Sequence, residues 1–267
     1  DGRAPLTGER HAAMSRSSVE QLPTVHSRRA EPSRGRVLRE GFLVVAAIAV
    51  VFAVWTWAAI GPLEHFDVLL NHRRHIQDWK PMLHVLDRIG QRAVCLPLLV
   101  LVTGYVAWRA RRWRPVTVAV SSVVAVNLAV LVLKLWLGRG QPRLEDPDFF
   151  NGGDLYPSGH TANVVLVYGL AVFLIVRYLG VSRRTRLVLW TAVLVLSVVM
   201  TVTSLTLRWH WFTDLIGGLL VGAAVLQATS TLDCVVPLPP TPPSRVARQR
   251  RISRGWPALG VPRQRSR

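Results

Sequence analysis

The chain has 267 residues, half of them hydrophobic, and a formal net charge of +18 at pH 7. Several apolar runs approach the length that crosses a bilayer, which argues against a soluble globular protein. The basic residues, nearly all arginine, cluster in the tails and between the apolar runs, where membrane topology alone would put them. We therefore expect no nucleic-acid partner. The two cysteines give neither a disulfide framework nor a metal cluster.

The chain divides into three predicted parts. Residues 1–40 form a basic arm rich in Arg, Ser and Pro without an apolar period, and residues 237–267 repeat that composition. Both segments are expected to be disordered. Between them, residues 41–236 form the predicted membrane domain. Its first apolar run has no small-residue cleavage motif after it, so we interpret this run as a retained anchor.

Six apolar runs predict an all-α integral membrane bundle, because a backbone in lipid has to satisfy its hydrogen bonds within the helix. The predicted transmembrane helices cover residues 41–60, 93–108, 115–133, 161–176, 187–207 and 215–236. If every run spans, the arginine clusters of both tails and of two connections fall on one side. By the positive-inside rule that side is the cytoplasm, so both termini are predicted to be cytoplasmic.

Polar residues collect at the predicted outer ends of four helices. Lys134 ends the third helix, His160 opens the fourth, His210 closes the fifth and Asp214 opens the sixth. An ionisable group at membrane depth is costly and marks a candidate functional site. Because these groups converge on one plane, we predict a single site on the extracytoplasmic side.

His210 and Asp214 are four residues apart and would share one face of a helical turn. The carboxylate can then accept the proton of one imidazole nitrogen, which fixes the tautomer and makes the other nitrogen a better nucleophile or base. Taken alone, however, such a pair is more often a helix-end contact.

The stretch LYPSGHTAN, residues 155–163, begins the fourth helix. The free amides and the dipole of a helix start favour an anion, Gly159 leaves room for it, and Ser158 adds a hydroxyl donor. The alternative is an ordinary helix start capped by Ser158, in which His160 only occupies space at the membrane interface.

Lys134 is one of two lysines, and a glycine-rich basic loop with Arg139 and Arg143 follows it. Several cationic donors gathered for one group indicate a phosphate rather than a carboxylate. The alternative for Lys134 is an anchor that reaches toward the membrane surface.

These stretches resemble the three-part signature of the type 2 phosphatidic acid phosphatase superfamily. That signature is Lys, six residues, Arg-Pro; then Pro-Ser-Gly-His; then Ser-Arg, five residues, His, three residues, Asp. The chain has KLWLGRGQP at 134–142, PSGH at 157–160 and TSLTLRWHWFTD at 203–214. The order and the six-helix layout agree, over roughly residues 41–236.

The resemblance implies a role for each matching residue. His210 would form a phosphohistidine, Asp214 would orient and activate it, and His160 would be the general acid. The phosphoryl oxygens would be held by Lys134, the Ser158 hydroxyl and the Gly159 amide. This scheme requires no metal and no other cofactor.

Two positions depart from the signature. Gln141 and Ser204 stand where the family has phosphate-binding arginines, and losing one such donor commonly costs about 100- to 1,000-fold in rate. Arg208 lies one helical turn after Ser204, so we expect its side chain to reach the vacated place. Arg139 and Arg143 lie two residues before and after Gln141, and we expect their side chains to reach the place of the arginine missing there. Alternatively, these arginines face anionic lipid headgroups at the rim.

The sequence thus predicts a metal-independent phosphoric ester or pyrophosphate hydrolase in the membrane bilayer. Its expected substrate is a lipid phosphate or a polyprenyl pyrophosphate. One alternative is a catalytically weak or inactive module that binds lipid phosphates. Another is a phosphotransferase that passes the phosphoryl group from the same intermediate to an alcohol or a sugar. The sequence does not indicate an oligomeric state.

Overall fold

The computed structural model describes residues 33–71 and 77–237. Within these ranges, six helices are long and apolar enough to cross a membrane. In chain order, the first to sixth spans are Arg34–Ile60, Arg92–Ala110, Arg114–Leu137, Gly159–Leu179, Arg183–Thr206 and Phe212–Cys234. Two short helices, Glu64–Leu70 and Lys80–Asp87, lie between the first and second spans. The prediction of an all-α bundle with six spans is confirmed.

The first span begins earlier than predicted. Residues 34–40, expected to belong to a disordered arm, are helical, and the Ser33 hydroxyl accepts a hydrogen bond from the amide of Arg36 at 3.4 Å. The apolar pattern could not find these two turns because their side chains are largely charged. Residues 1–32 and 238–267 lie outside the described residues, so the disorder expected there stays a prediction.

The fourth and sixth spans form the centre of the bundle. The sixth span packs against the first, third, fourth and fifth, and the fourth span is the most deeply buried of the six. Large apolar side chains such as Leu101, Leu135 and Leu187 are exposed on the outer faces of other spans. An exposed apolar face of this kind suits contact with lipid.

Glycines of the sixth span allow the fourth span to approach closely. A Cβ atom on Gly218 would overlap the carbonyl oxygen of Ser158, and one on Gly222 would lie 2.6 Å from the carbonyl oxygen of Ala162. Small residues four apart permit such contacts between membrane helices. The Thr161 hydroxyl also donates to the carbonyl oxygen of Leu215 at 2.9 Å. The start of the fourth span is therefore fixed beside the start of the sixth.

A buried carboxylate joins three spans at the opposite end of the bundle. Asp233, on the sixth span, accepts hydrogen bonds from Arg114 Nε of the third span at 2.5 Å and from the Tyr178 hydroxyl of the fourth span at 2.9 Å. Arg177 Nε, also on the fourth span, lies 3.4 Å from the same carboxylate. The fourth and sixth spans are thus tied together at both ends, and the third span joins them at this one.

Asp233→Asn is expected to lower the free energy of unfolding by about 2 kcal/mol, because it removes charged hydrogen bonds from a buried group. The thermal unfolding midpoint in detergent measures this effect. Glu40→Gln is the matched control, since Glu40 pairs with Arg36 on an exposed surface and its loss should not shift the midpoint. Equal midpoints for the two variants would contradict the role assigned to Asp233.

Candidate active site

A cavity of about 620 Å³ opens where the second and fourth spans begin and the third span ends. Its lining includes four residues singled out from the sequence: Lys134, Gly159, His160 and His210. The other polar and aromatic residues of the lining are Asp87, Gln91, Arg92, Asn127, Asn163 and Trp209. The structure therefore brings parts of all three signature stretches to one space.

The two histidines face each other across this cavity. Their ring centroids are 6.3 Å apart and the ring planes are inclined by 62°. His160 is half-buried on the first turn of the fourth span, and only 7% of His210 is exposed. This spacing allows one small group to contact both rings, as nucleophilic attack with acid catalysis requires.

Asp214 contacts His210 from one side of the ring. Its Oδ2 atom lies 3.4 Å from His210 Nδ1, which leaves the other imidazole nitrogen for the cavity. The same oxygen accepts a hydrogen bond from the Trp211 amide at 3.0 Å. Catalytic hydrogen bonds are often long before substrate binds, so the 3.4 Å separation fits a base and its orienting group.

Arg139 lies behind Asp214 and is fully buried. Its Nη1 atom donates to Asp214 Oδ1 and to the Thr213 hydroxyl, each at 2.6 Å, and Nη2 donates to Asp67 Oδ2 at 2.7 Å. Burial raises the pKa of Asp67, and the charge of Arg139 opposes that shift. Arg139 does not line the cavity. The phosphate contact expected of it is replaced here by contact with two carboxylates.

Arg208 also points away from the cavity. Its Nε donates to Asn71 Oδ1 and its Nη2 to the carbonyl oxygen of Pro142, both at 2.8 Å. We expected Arg208 to share a helical face with Ser204, but the fifth span ends at Thr206 and Arg208 takes a left-handed conformation with φ of 55°. The change of backbone direction carries the guanidinium away from the site.

Arg143 supports an aromatic wall of the cavity. Its guanidinium carbon lies 4.1 Å from the centre of the Trp209 ring, and Nη2 donates to the carbonyl oxygen of Leu207 at 3.3 Å. Trp209 lines the cavity, whereas Arg143 does not. The structure thus brings none of the three expected replacement arginines to the site, although Arg143 and Arg208 both hold the loop that carries His210.

Ser158 carries a buried hydroxyl that lacks a partner among the described residues. The hydroxyl makes no capping hydrogen bond to the fourth span, so the alternative of an ordinary capped start is not supported. The backbone amide of Ser158 donates to the carbonyl oxygen of Asp214 at 2.9 Å. A buried polar atom without a partner is costly and often marks where a ligand binds.

Lys134 lines the cavity, and its Nζ donates to the carbonyl oxygen of Asp154. That bond leaves two of its three donor hydrogens for another group. In the part of the chain that the structure describes, no three His, Cys, Asp or Glu side chains come together as metal ligands.

Sequence reasoning missed Asp67, Asp87 and Arg92. None belongs to the signature, and all three lie in or directly after the long first connection. Asp67 and Asp87 are buried despite their charge, and Arg92 and Asp87 line the cavity. The available signal was the position of Asp67 among the apolar residues of a short helix, between Phe66 and Val68.

Fold and site together define a multi-pass membrane protein with a histidine-containing cavity at one end of its helices. The family model described as the PAP2 superfamily matches residues 92–233, which is more than half of the chain. The chain belongs to the PAP2 superfamily, as the three signature stretches indicated.

Two relatives illustrate this membership. Phosphatidylglycerophosphatase B of Bacillus subtilis (strain 168) is 24% identical over 138 residues, which cover 51% of this chain and 66% of that protein. The crystal structure of the first transmembrane PAP2 type phosphatidylglycerolphosphate phosphatase from Bacillus subtilis superposes with a TM-score of 0.63 at 18% identity. This match covers 72% of this chain and 97% of the other. The structural similarity shows a shared fold.

Arg139→Ala is expected to destabilise the protein by about 3 to 5 kcal/mol, because it leaves Asp67 and Asp214 buried without their cation. The thermal unfolding midpoint in detergent measures the loss. The midpoint of Arg139→Lys should lie between those of the wild type and Arg139→Ala, since a single ammonium cannot bridge both carboxylates in the same way. Arg88→Ala, which removes an exposed arginine, serves as control. A midpoint of Arg139→Ala equal to that of the control would refute the assignment.

Proposed function

We propose that this protein is a membrane phosphatase that hydrolyses a lipid phosphate or a polyprenyl pyrophosphate through a phosphohistidine. One observation carries the proposal: His210, backed by Asp214, faces His160 across a cavity that Lys134 also lines. A nucleophile with its orienting group, an acid opposite and a cation beside them are the groups that phosphoryl transfer uses.

In the first step, the His210 nitrogen that faces the cavity attacks phosphorus. The bond from phosphorus to the leaving oxygen breaks, and that oxygen takes a proton from His160. The positive charge on the His210 ring is stabilised by Asp214. In the second step, water attacks phosphorus while His160 accepts a proton from it. The phosphorus–nitrogen bond then breaks, and inorganic phosphate leaves.

The phosphoryl oxygens bind, in this scheme, to Lys134, the Gly159 amide and the Ser158 hydroxyl. Ser158 is adjacent to the lining residue Gly159 but does not itself line the cavity, and a phosphate oxygen that reached its buried hydroxyl would supply the missing partner. For Arg139 we propose a positioning role through Asp214. It holds Asp214 Oδ1, so that Oδ2 keeps its direction toward the imidazole.

The substrate class follows from the surroundings of the cavity. The site lies at the ends of membrane spans, where a phosphate headgroup would sit while its apolar chains remain in lipid. The relative named phosphatidylglycerophosphatase B supports a lipid phosphomonoester for this chain as well. We place the site at the extracytoplasmic face, since the arginine-rich connections lie at the other ends of the spans.

A second candidate is a module that binds lipid phosphates without turnover. The observation that favours it is the replacement of two signature arginines by Gln141 and Ser204. This reading and the hydrolase reading share the same phosphate-binding cavity but differ in whether His210 reacts.

The chemistry is tested by phosphate release from a panel of lipid phosphates, including phosphatidylglycerophosphate and a polyprenyl pyrophosphate, in detergent with EDTA. His210→Ala should reduce release to the background without enzyme, because the nucleophile is lost. His160→Ala should lower kcat about 100- to 10,000-fold through loss of the general acid. His65→Ala, on the first connection, is the control and should retain wild-type activity.

Folded wild-type protein that releases no more phosphate than His210→Ala on every substrate would exclude the hydrolase. In that event, retained binding of the same lipids would establish the binding module. Release that requires a divalent cation would exclude the metal-independent scheme.

The orientation is tested with single cysteines in a Cys234→Ser background, since Cys95 is buried. Leu144→Cys lies in the connection beside the site and Arg184→Cys at the opposite end of the spans, and both positions are exposed. A maleimide that does not cross membranes should label the first variant in intact cells and the second only after lysis. The reverse pattern would place the site in the cytoplasm.

A further inference from the structure

The cavity contains an arginine that the family signature lacks. Arg92 is the first residue of the second span and lines the cavity together with Lys134, His160 and His210. We infer that Arg92 binds the phosphoryl group and takes over the charge that Gln141 and Ser204 no longer supply. This inference rests on the proposed function and assigns a further phosphate-binding residue to it.

The position of Arg92 supports this role. In the described part of the chain, Arg92 and Lys134 are the lysine and arginine residues of the cavity lining. The positive charge of Arg92 interacts electrostatically with the side chains of Lys134 and His160, which line the same cavity. Arg92 itself forms no ion pair with the residues that the structure describes. Its five guanidinium donors are therefore free for an anion, and their planar arrangement suits two phosphate oxygens at once.

The charge balance of the cavity also favours an anion. Asp87 is the carboxylate of the lining, and it is contacted by Gln91 Nε2 at 3.3 Å and by the Ser204 hydroxyl at 3.5 Å. Arg92 and Lys134 both line the cavity, and their positive charges repel each other. A phosphate bound between them attracts both, and these attractions offset the repulsion.

The other candidates for this role are engaged elsewhere. Arg139 is held by two carboxylates, Arg208 by Asn71 and Pro142, and Arg143 by Trp209. Ser204 presents a neutral hydroxyl to Asp87 and so contributes no positive charge. Among the described arginines, this leaves Arg92 at the cavity.

Arg92→Ala is expected to lower kcat/KM about 100- to 1,000-fold, as for other single donors that stabilise developing charge. Arg92→Lys should retain part of the activity, because it keeps the charge and loses the two-point contact. Arg88→Ala is the matched control: it removes an exposed arginine four residues earlier that does not line the cavity. Its activity should equal that of the wild type.

Binding is measured separately from turnover by calorimetric titration of inorganic phosphate in the His210→Ala background. Adding Arg92→Ala should weaken binding at least about 10-fold, whereas adding Arg88→Ala should leave it unchanged. Equal affinity for the Arg92→Ala and Arg88→Ala proteins would overturn the assignment, as would the absence of phosphate binding to the His210→Ala protein.

These two readouts separate this inference from the proposed function. A wild type that releases no phosphate but binds it through Arg92 would remove the phosphatase and retain the Arg92 site. Full hydrolysis with wild-type kcat/KM in Arg92→Ala would retain the phosphatase and remove the Arg92 site. The unfolding midpoint of Arg92→Ala, expected to match that of Arg88→Ala, shows that a lost signal does not come from misfolding.

Discussion

The site depends on a buried guanidinium between two carboxylates. Arg139 connects Asp67 on a short helix of the first connection to Asp214 at the start of the sixth span. Both acidic residues and the arginine are excluded from water, so each charge is stable only while the others are in place. This arrangement fixes the direction of the Asp214 carboxylate, and through it the ring of His210.

The packing of the fourth span against the sixth places His160 opposite the histidine that Asp214 contacts. Gly218 and Gly222 let the two backbones meet, and the contact sets His160 opposite His210. At the other end, Asp233 ties the same two spans to the third. Helices fixed at both ends hold the two histidines at a defined separation, as the proposed mechanism requires.

The departures from the family signature acquire a physical interpretation in this setting. A phosphate site needs cationic side chains in the cavity, but these side chains can come from different positions in the sequence. In our proposal, Arg92 supplies the positive charge from the start of the second span. Arg139 and Arg143, between the third and fourth spans, instead contact Asp214 and Trp209. Ser204 instead donates a hydrogen bond to the carboxylate of Asp87, so the place of a signature arginine now holds an uncharged hydroxyl.

The sequence by itself determined the six spans, the ends at which the polar residues collect and the spacing of the signature. Those features depend on local composition and on distances along the chain, which sequence records directly. Only the tertiary structure decided the direction of each arginine. The fifth span stops at Thr206 and the backbone reverses at Arg208, and the partners of Arg139 come from segments about 70 residues away. Contacts between distant segments depend on how the helices pack, and no spacing within one stretch encodes them.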